Sequence, residues 1–282
     1  MARRSRRLRL WRAPALLRRW LRRWLRRWRR ASPAARVSFG VLLVAIVALG
    51  VNGIYQVVRK PTELFFPVSG TLYKTPPETW REYSPIFRRY ATGTVTPELL
   101  AALAQVEGSG NPLVRTYWRW SWALKPFELY RPASSAVGMY QITDGTFAEA
   151  RHYCIHGHVL VREGAWNDWR ACWFNALYWR VVPSHAVQLT SAYLDLKVSA
   201  ILGRLRVTRA TPAQQHHLAA AVHLCGAGAG TTYVRQGFRF TDTQRCGDQD
   251  PRAYLGRVDA MQAVFARLAA AEEAGGARRD SQ

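Results

Sequence analysis

The sequence predicts a mainly α-helical domain preceded by a single transmembrane helix. Three observations predict it. Residues 37–58 form an almost unbroken apolar run, long enough to cross a bilayer as a helix. Helix-start signals stand at Thr96-Pro97, Pro183-Ser184, Thr211-Pro212 and Asp250-Pro251, and apolar residues recur at helical spacing behind each. No stretch carries a convincing series of alternating strands.

The formal charge of +23 is concentrated at the N-terminus. Seventeen of the 41 basic residues lie in residues 1–60, which hold no acidic residue; the remaining 24 face 18 acidic ones, leaving about +6. Residues 1–36 form an Arg/Trp-rich amphipathic segment with the tetrads Leu17-Arg18-Arg19-Trp20, Leu21-Arg22-Arg23-Trp24 and Leu25-Arg26-Arg27-Trp28. A period of four on a helix gathers Leu and Trp on one side and Arg on the other. That is the make-up of an interfacial helix, so residues 1–30 are expected to bind anionic inner-membrane lipids. Arg runs also suit nucleic-acid phosphates, but the apolar run that follows favours a membrane, and no nucleic-acid partner is expected.

Residues 37–58 are read as the anchor, mildly broken by Ser38, Asn52 and Gln56. Basic residues crowd its N-terminal side, which places residues 1–36 in the cytoplasm and exports the rest. The long basic region and the lack of a small-x-small site argue against a cleaved signal peptide. Residues 59–90 hold Pro61, Pro67, Pro76, Pro77 and Pro85 among aromatics without clean periodicity, and read as an ordered or semi-extended connector. A domain follows over 91–270, and 271–282 read as a flexible tail.

The first helix of that domain begins at Thr96 and Pro97, with Glu98 complementing its positive end. Gly108 and Gly110 stop it, and Pro112 forbids its return. Leu100, Leu103 and Glu107 fall on one line of this helix. A carboxyl on the buried stripe, beside the carbonyl end of the dipole, is expected to keep its proton, as a general acid must. Pattern alone allows equally a helix-end Glu that points to water.

Two linked motifs separate these readings. Glu107-Gly108-Ser109-Gly110-Asn111-Pro112 resembles the Glu-Ser-x-x-Asn-Pro motif of the lytic transglycosylases with an SLT, goose-type lysozyme-like domain. Ser135-Ala136-Val137-Gly138-Met139-Tyr140-Gln141-Ile142 resembles that family's Gly-Ala-x-Gly-Leu-Met-Gln-Ile motif, in the same order and at similar separation. The resemblance spans about residues 91–270 and implies a lysozyme-like (goose-type) helical domain. It implies that Glu107 is the catalytic acid and then base, with Ser109, Gly138, Tyr140 and Gln141 orienting substrate. Peptidoglycan glycan strands are the implied substrate, cut between N-acetylmuramic acid and N-acetylglucosamine to a 1,6-anhydro product. No cofactor is implied. Envelope-spanning secretion or cell-wall machinery is a further partner class, and the bacterial inner membrane with a periplasmic domain is the implied location.

Two later segments occupy places of family motifs with changes. In Ala221-Val222-His223-Leu224-Cys225-Gly226-Ala227-Gly228, His223 and Leu224 stand where the family has Tyr and Asn. His223 either replaces a hydrogen bond to substrate or packs as a helix-end residue. Asp250-Pro251-Arg252-Ala253-Tyr254-Leu255-Gly256-Arg257-Val258 resembles the Glu-Thr-x-x-Tyr-Val segment, which gives Tyr254 the part of the tyrosine beside the acid; on pattern alone it is a core residue. Gly108 stands where the family usually has Ser, with Ser109 one place on. Asp144, Glu149 and Asp168 are candidate second carboxylates without a supporting pattern, and the family is understood to use a single Glu. A hydrolytic muramidase on the same fold and a non-catalytic peptidoglycan-binding or assembly scaffold are the alternatives.

Cys154, Cys172, Cys225 and Cys246 all lie on the exported side, where disulfides persist. The local pairs Cys154–Cys172 and Cys225–Cys246 are preferred among three connectivities. His152 and His156 have the spacing of a helical metal pair but lack the Glu and the finger spacing that would support one, so no metal is expected. Tyr117, Trp118, Trp120, Trp122, Phe127 and Tyr130 crowd between the two motifs, either to stack on sugar rings or to form core.

Overall fold

Several helix starts in this chain are marked by proline behind a capping residue. The computed structural model describes residues 32–280 apart from 122–126, 166 and 169; the Arg/Trp tetrads and Trp122 lie outside the described residues. Ser32 accepts a hydrogen bond from the Ala35 amide at 3.2 Å and opens α1, Pro33–Arg59. This helix is long and apolar enough to cross a membrane, about 40 Å at 1.5 Å per residue. Its surface is exposed except where Asn52 and Gln56 are covered. A 3₁₀ turn, Pro61–Phe65, and the single-turn α2, Phe66–Ser69, follow.

The connector reading needs correction over its second half. Thr75 and Glu78 form a reciprocal capping box that opens α3, Pro76–Tyr90. Trp80, Tyr83 and Phe87 of α3 are buried in the main core. The prolines that suggested an extended chain sit at the helix start, where the missing amide costs nothing, and at Pro85, which the helix accommodates. The folded body therefore begins well before residue 91.

At the centre lies α4, Pro97–Gly108, capped by Thr96 through the Leu99 amide at 3.2 Å. Every residue of the stretch 99–104 is fully buried. It packs chiefly on α8, Pro251–Asp280, and on α3. The short α5, Asp144–Ala150, capped by Thr143, and the long α6, Pro183–Arg204, cover another side. Next comes α7, Pro212–Arg235, which packs on α6 and α8. At Gly226 it kinks (φ 79°, ψ 170°) and resumes to Arg235. The expected flexible tail is also helical to residue 280. Glu272 accepts from Trp80 Nε1 at 2.9 Å and from Arg88 at 2.8 Å, fixing this end of α8 to α3.

Among the described residues, strand is confined to two antiparallel hairpins. Trp118–Trp120 (β1) pairs with Tyr130–Pro132 (β2), Arg119 facing Arg131. Tyr153–His156 (β3) pairs with Val159–Arg162 (β4). His152 thus precedes β3 and His156 ends it, so the two do not share a helix face. Disulfides join Cys154 to Cys172 and Cys225 to Cys246, with Cα atoms 5.7 and 5.3 Å apart; these are the two local pairs.

Candidate functional site

Glu107 stands in the last turn of α4, which Ser109 closes in a left-handed conformation (φ 47°). Its side chain is 15% exposed. The Tyr254 hydroxyl, on α8, donates to Glu107 Oε1 at 2.6 Å. His223 Nε2, on α7 just before the kink, lies 3.7 Å from the same oxygen. Among the described residues no hydrogen-bond partner meets Oε2. One carboxyl oxygen is held by Tyr254 and the other is not.

The electrostatics around this carboxyl follow from burial. Burial first, then the charge and hydrogen bond of Glu107, push the Tyr254 phenol well above its usual range. It stays a donor at any physiological pH. Burial also pulls His223 below its usual 6.5, outweighing the attraction of Glu107 and a hydrogen bond to the Tyr140 backbone. The ring is neutral near pH 7 and adds no positive charge beside Glu107.

The second motif is folded against the first. A Cβ on Gly108 would lie 2.9 Å from both Cα and the carbonyl oxygen of Met139, so backbone meets backbone there. This accounts for Gly108 where the resemblance suggested Ser. Gly138 has φ 78°, and a Cβ on it would come within 2.4 Å of the Arg180 carbonyl. Both glycines are required by contact with main chain, which cannot yield as a side-chain end can.

The remaining expected residues distribute as follows. Gln141, itself at φ 47°, turns its amide onto the Gly138 and Val114 carbonyls at 3.0 and 3.2 Å. It braces the loop. Tyr140 is fully buried and donates to the Leu100 carbonyl at 3.1 Å, so it lies in the core instead of lining the site. Ser109 contributes main chain: its carbonyl accepts from the Lys74 amide at 2.8 Å. Leu224 packs against the core. The candidate second carboxylates have other partners, Asp144 with Arg180 at 2.7 Å, Glu149 with Lys197, and Asp168 with its own turn. Among the described residues no group of three or more His, Cys, Asp or Glu is placed to hold a metal.

Sequence reasoning missed two supports. Asn111 is fully buried, its amide donating to the Ser69 carbonyl and its oxygen accepting from the Leu113 amide, which locks the loop after α4. Glu63, also buried, gathers Lys60 at 3.2 Å, Arg115 at 3.1 Å and Trp118 Nε1 at 2.9 Å. A signal for this cluster was present, since Asn52, Gln56 and Lys60 recur every fourth residue along an otherwise apolar helix. No family model matches this chain, and no curated protein matches its sequence.

Proposed function

We propose that this protein is a membrane-anchored peptidoglycan lytic transglycosylase, a goose-type lysozyme-like helical domain held on the periplasmic side of a bacterial inner membrane by α1. The observation that carries the reading is the 2.6 Å hydrogen bond from Tyr254 to Glu107. Motifs more than a hundred residues apart in sequence meet on one carboxyl, in the pairing the resemblance implies. The orientation rests on the basic residues before α1, and two disulfides suit an oxidising compartment.

On this reading Tyr254 occupies Oε1, so the acid proton of Glu107 resides on Oε2. Glu107 gives it to the glycosidic oxygen as the bond from that oxygen to the muramic C1 breaks. The neighbouring acetamido oxygen takes up the positive centre, as in substrate-assisted glycosidases. The muramic 6-hydroxyl then attacks C1 and loses its proton to Glu107. An anhydro ring closes, the acid is restored, and no water is consumed. The loop braced by Gln141 would position the sugar against the acid.

Mass spectrometry of muropeptides released by the full-length protein tests this. Anhydromuramyl ends are expected from the parent protein and none from Glu107→Gln. Reducing ends would assign the site to hydrolysis, and equal release by both proteins would remove Glu107 from the chemistry.

A further inference from the structure

α1 does not end in a free tether. Three polar side chains on one of its faces donate to the main chain of residues 127–136. Asn52 donates to the Tyr130 carbonyl at 2.6 Å and Gln56 to the Phe127 carbonyl at 2.8 Å. Lys60 donates to the carbonyls of Ser134 and Ala136 at 3.2 and 3.0 Å. Arg59 pairs with Glu128 at 3.2 Å, and the Tyr55 and Phe127 rings lie 5.4 Å apart. The β1–β2 hairpin is therefore bound alongside the last two turns of the helix.

Those turns have a defined depth if α1 spans a bilayer. Arg36 is the last basic residue before the apolar run. Counting about 20 residues for a hydrocarbon core of about 30 Å brings the far boundary close to Gln56. The hairpin hangs at that level, where aromatic side chains are favoured because a ring suits the boundary between headgroups and acyl chains.

Its surface has the matching chemistry. Tyr117, Trp120, Phe127 and Leu129 are 71%, 61%, 47% and 38% exposed, although all are apolar or aromatic. The Trp118 and Trp120 rings pack tilted against Tyr130, at 5.2 and 4.9 Å between centroids, which stiffens the platform. A mostly apolar groove runs between helix and hairpin, lined by Gly53, Val57, Tyr117, Trp118 and Tyr130 together with the paired Glu63 and Arg115. Just past the end of the helix, Pro61 and Thr62 share a second groove with Phe147, Tyr178, Trp179, Arg180 and Val181, and Phe174 and Leu177 nearby in sequence are exposed.

We propose that the β1–β2 hairpin is a membrane-insertion element: Tyr117, Trp120, Phe127 and Leu129 sit in the headgroup–acyl boundary of the leaflet on the domain's side, with phospholipid as their partner. The helix and the hairpin then grip the bilayer at two points. The folded body is fixed in height and orientation, and the Glu107 site serves glycan close to the membrane instead of swinging outward on a linker. The proposal rests on α1 as a membrane span and not on the chemistry of Glu107.

Fluorescence quenching in vesicles tests it. Full-length protein carrying one added cysteine, Trp120→Cys, Phe127→Cys or Leu49→Cys, is labelled with an environment-sensitive dye in phosphatidylcholine–phosphatidylglycerol vesicles at no more than one copy per vesicle. Incorporation of a single dye also reports that both disulfides are intact, and therefore that the variant is folded. Labels at 120 and 127 are expected to emit blue-shifted light and to show about twofold quenching by lipid with a nitroxide high on its acyl chain. The label at 49 is expected to be quenched by a nitroxide deep in the chain. Quenching at 49 without quenching at 120 and 127 overturns the insertion and leaves the span. No quenching at any site overturns both. A blue shift at 120 and 127 without quenching means that the labels pack against the protein itself and overturns the lipid assignment.

Discussion

Tyr254 offers Glu107 one short hydrogen bond, and among the described residues no other hydrogen bond meets Oε1, His223 being 3.7 Å away. Its removal should therefore be felt in the chemistry more than in the fold. Hydrogen bonds to charged groups contribute about 1.5–3 kcal/mol, which corresponds to about 10- to 100-fold in rate. Tyr254→Phe is expected to lower kcat for anhydro-product release by that factor with KM little changed. The check is steady-state release from purified glycan, and an unaltered kcat would make Tyr254 a packing residue. The functional assignment of Glu107 came from the motif resemblance; its helix position alone left a solvent-facing Glu equally open. Tyr140 shows the limit of such reading, because the motif gave its position but not which way the loop turns, and the ring went into the core.

At the scale of elements, the junction between the end of α4 and the loop over 137–142 sets how closely the two motifs approach. Gly108 meets Met139 main chain with no room for a Cβ. Gly108→Ser, which restores the residue usual in the resembled family, is expected to destabilise this protein by about 1–3 kcal/mol through overpacking. A thermal melt in detergent reads this as a lower Tm, and an unchanged Tm would mean that the loop moves aside freely. The helices α4, α6, α7 and α8 were legible from their proline-marked starts because start signals act locally. α3 was not, since Trp80, Tyr83 and Phe87 carried helical spacing that the prolines obscured. Ends were read less well than starts. Gly226 bends α7 without ending it, and the last turns of α8 depend on Trp80 and Arg88, far away in sequence.

Across the whole molecule, part-buried histidines tie stability to pH. His185, His216 and His223 are each pulled below 6.5, in every case chiefly by burial. The unfolded chain then binds more protons than the folded one as pH falls below 6.5. Their contribution is present above that value and is lost on acidification, before carboxylates such as Glu272, held below their usual 4.5, begin to protonate. Tm is expected to decline between pH 7 and 5.5, and His223→Gln to make that decline shallower; a flat Tm over this range would contradict the assignment. The anchor face made of Asn52, Gln56 and Lys60 gives the same lesson about reading sequence. Its spacing was visible, but its partners are carbonyls of a hairpin about 75 residues away, which no local pattern announces.

The most direct test of the central claim is the chemical form of the sugar end released from peptidoglycan by the intact protein, compared with Glu107→Gln. The account predicts anhydromuramyl ends from the parent and no release from the variant. Reducing ends from the parent, or undiminished anhydro product from Glu107→Gln, would contradict it.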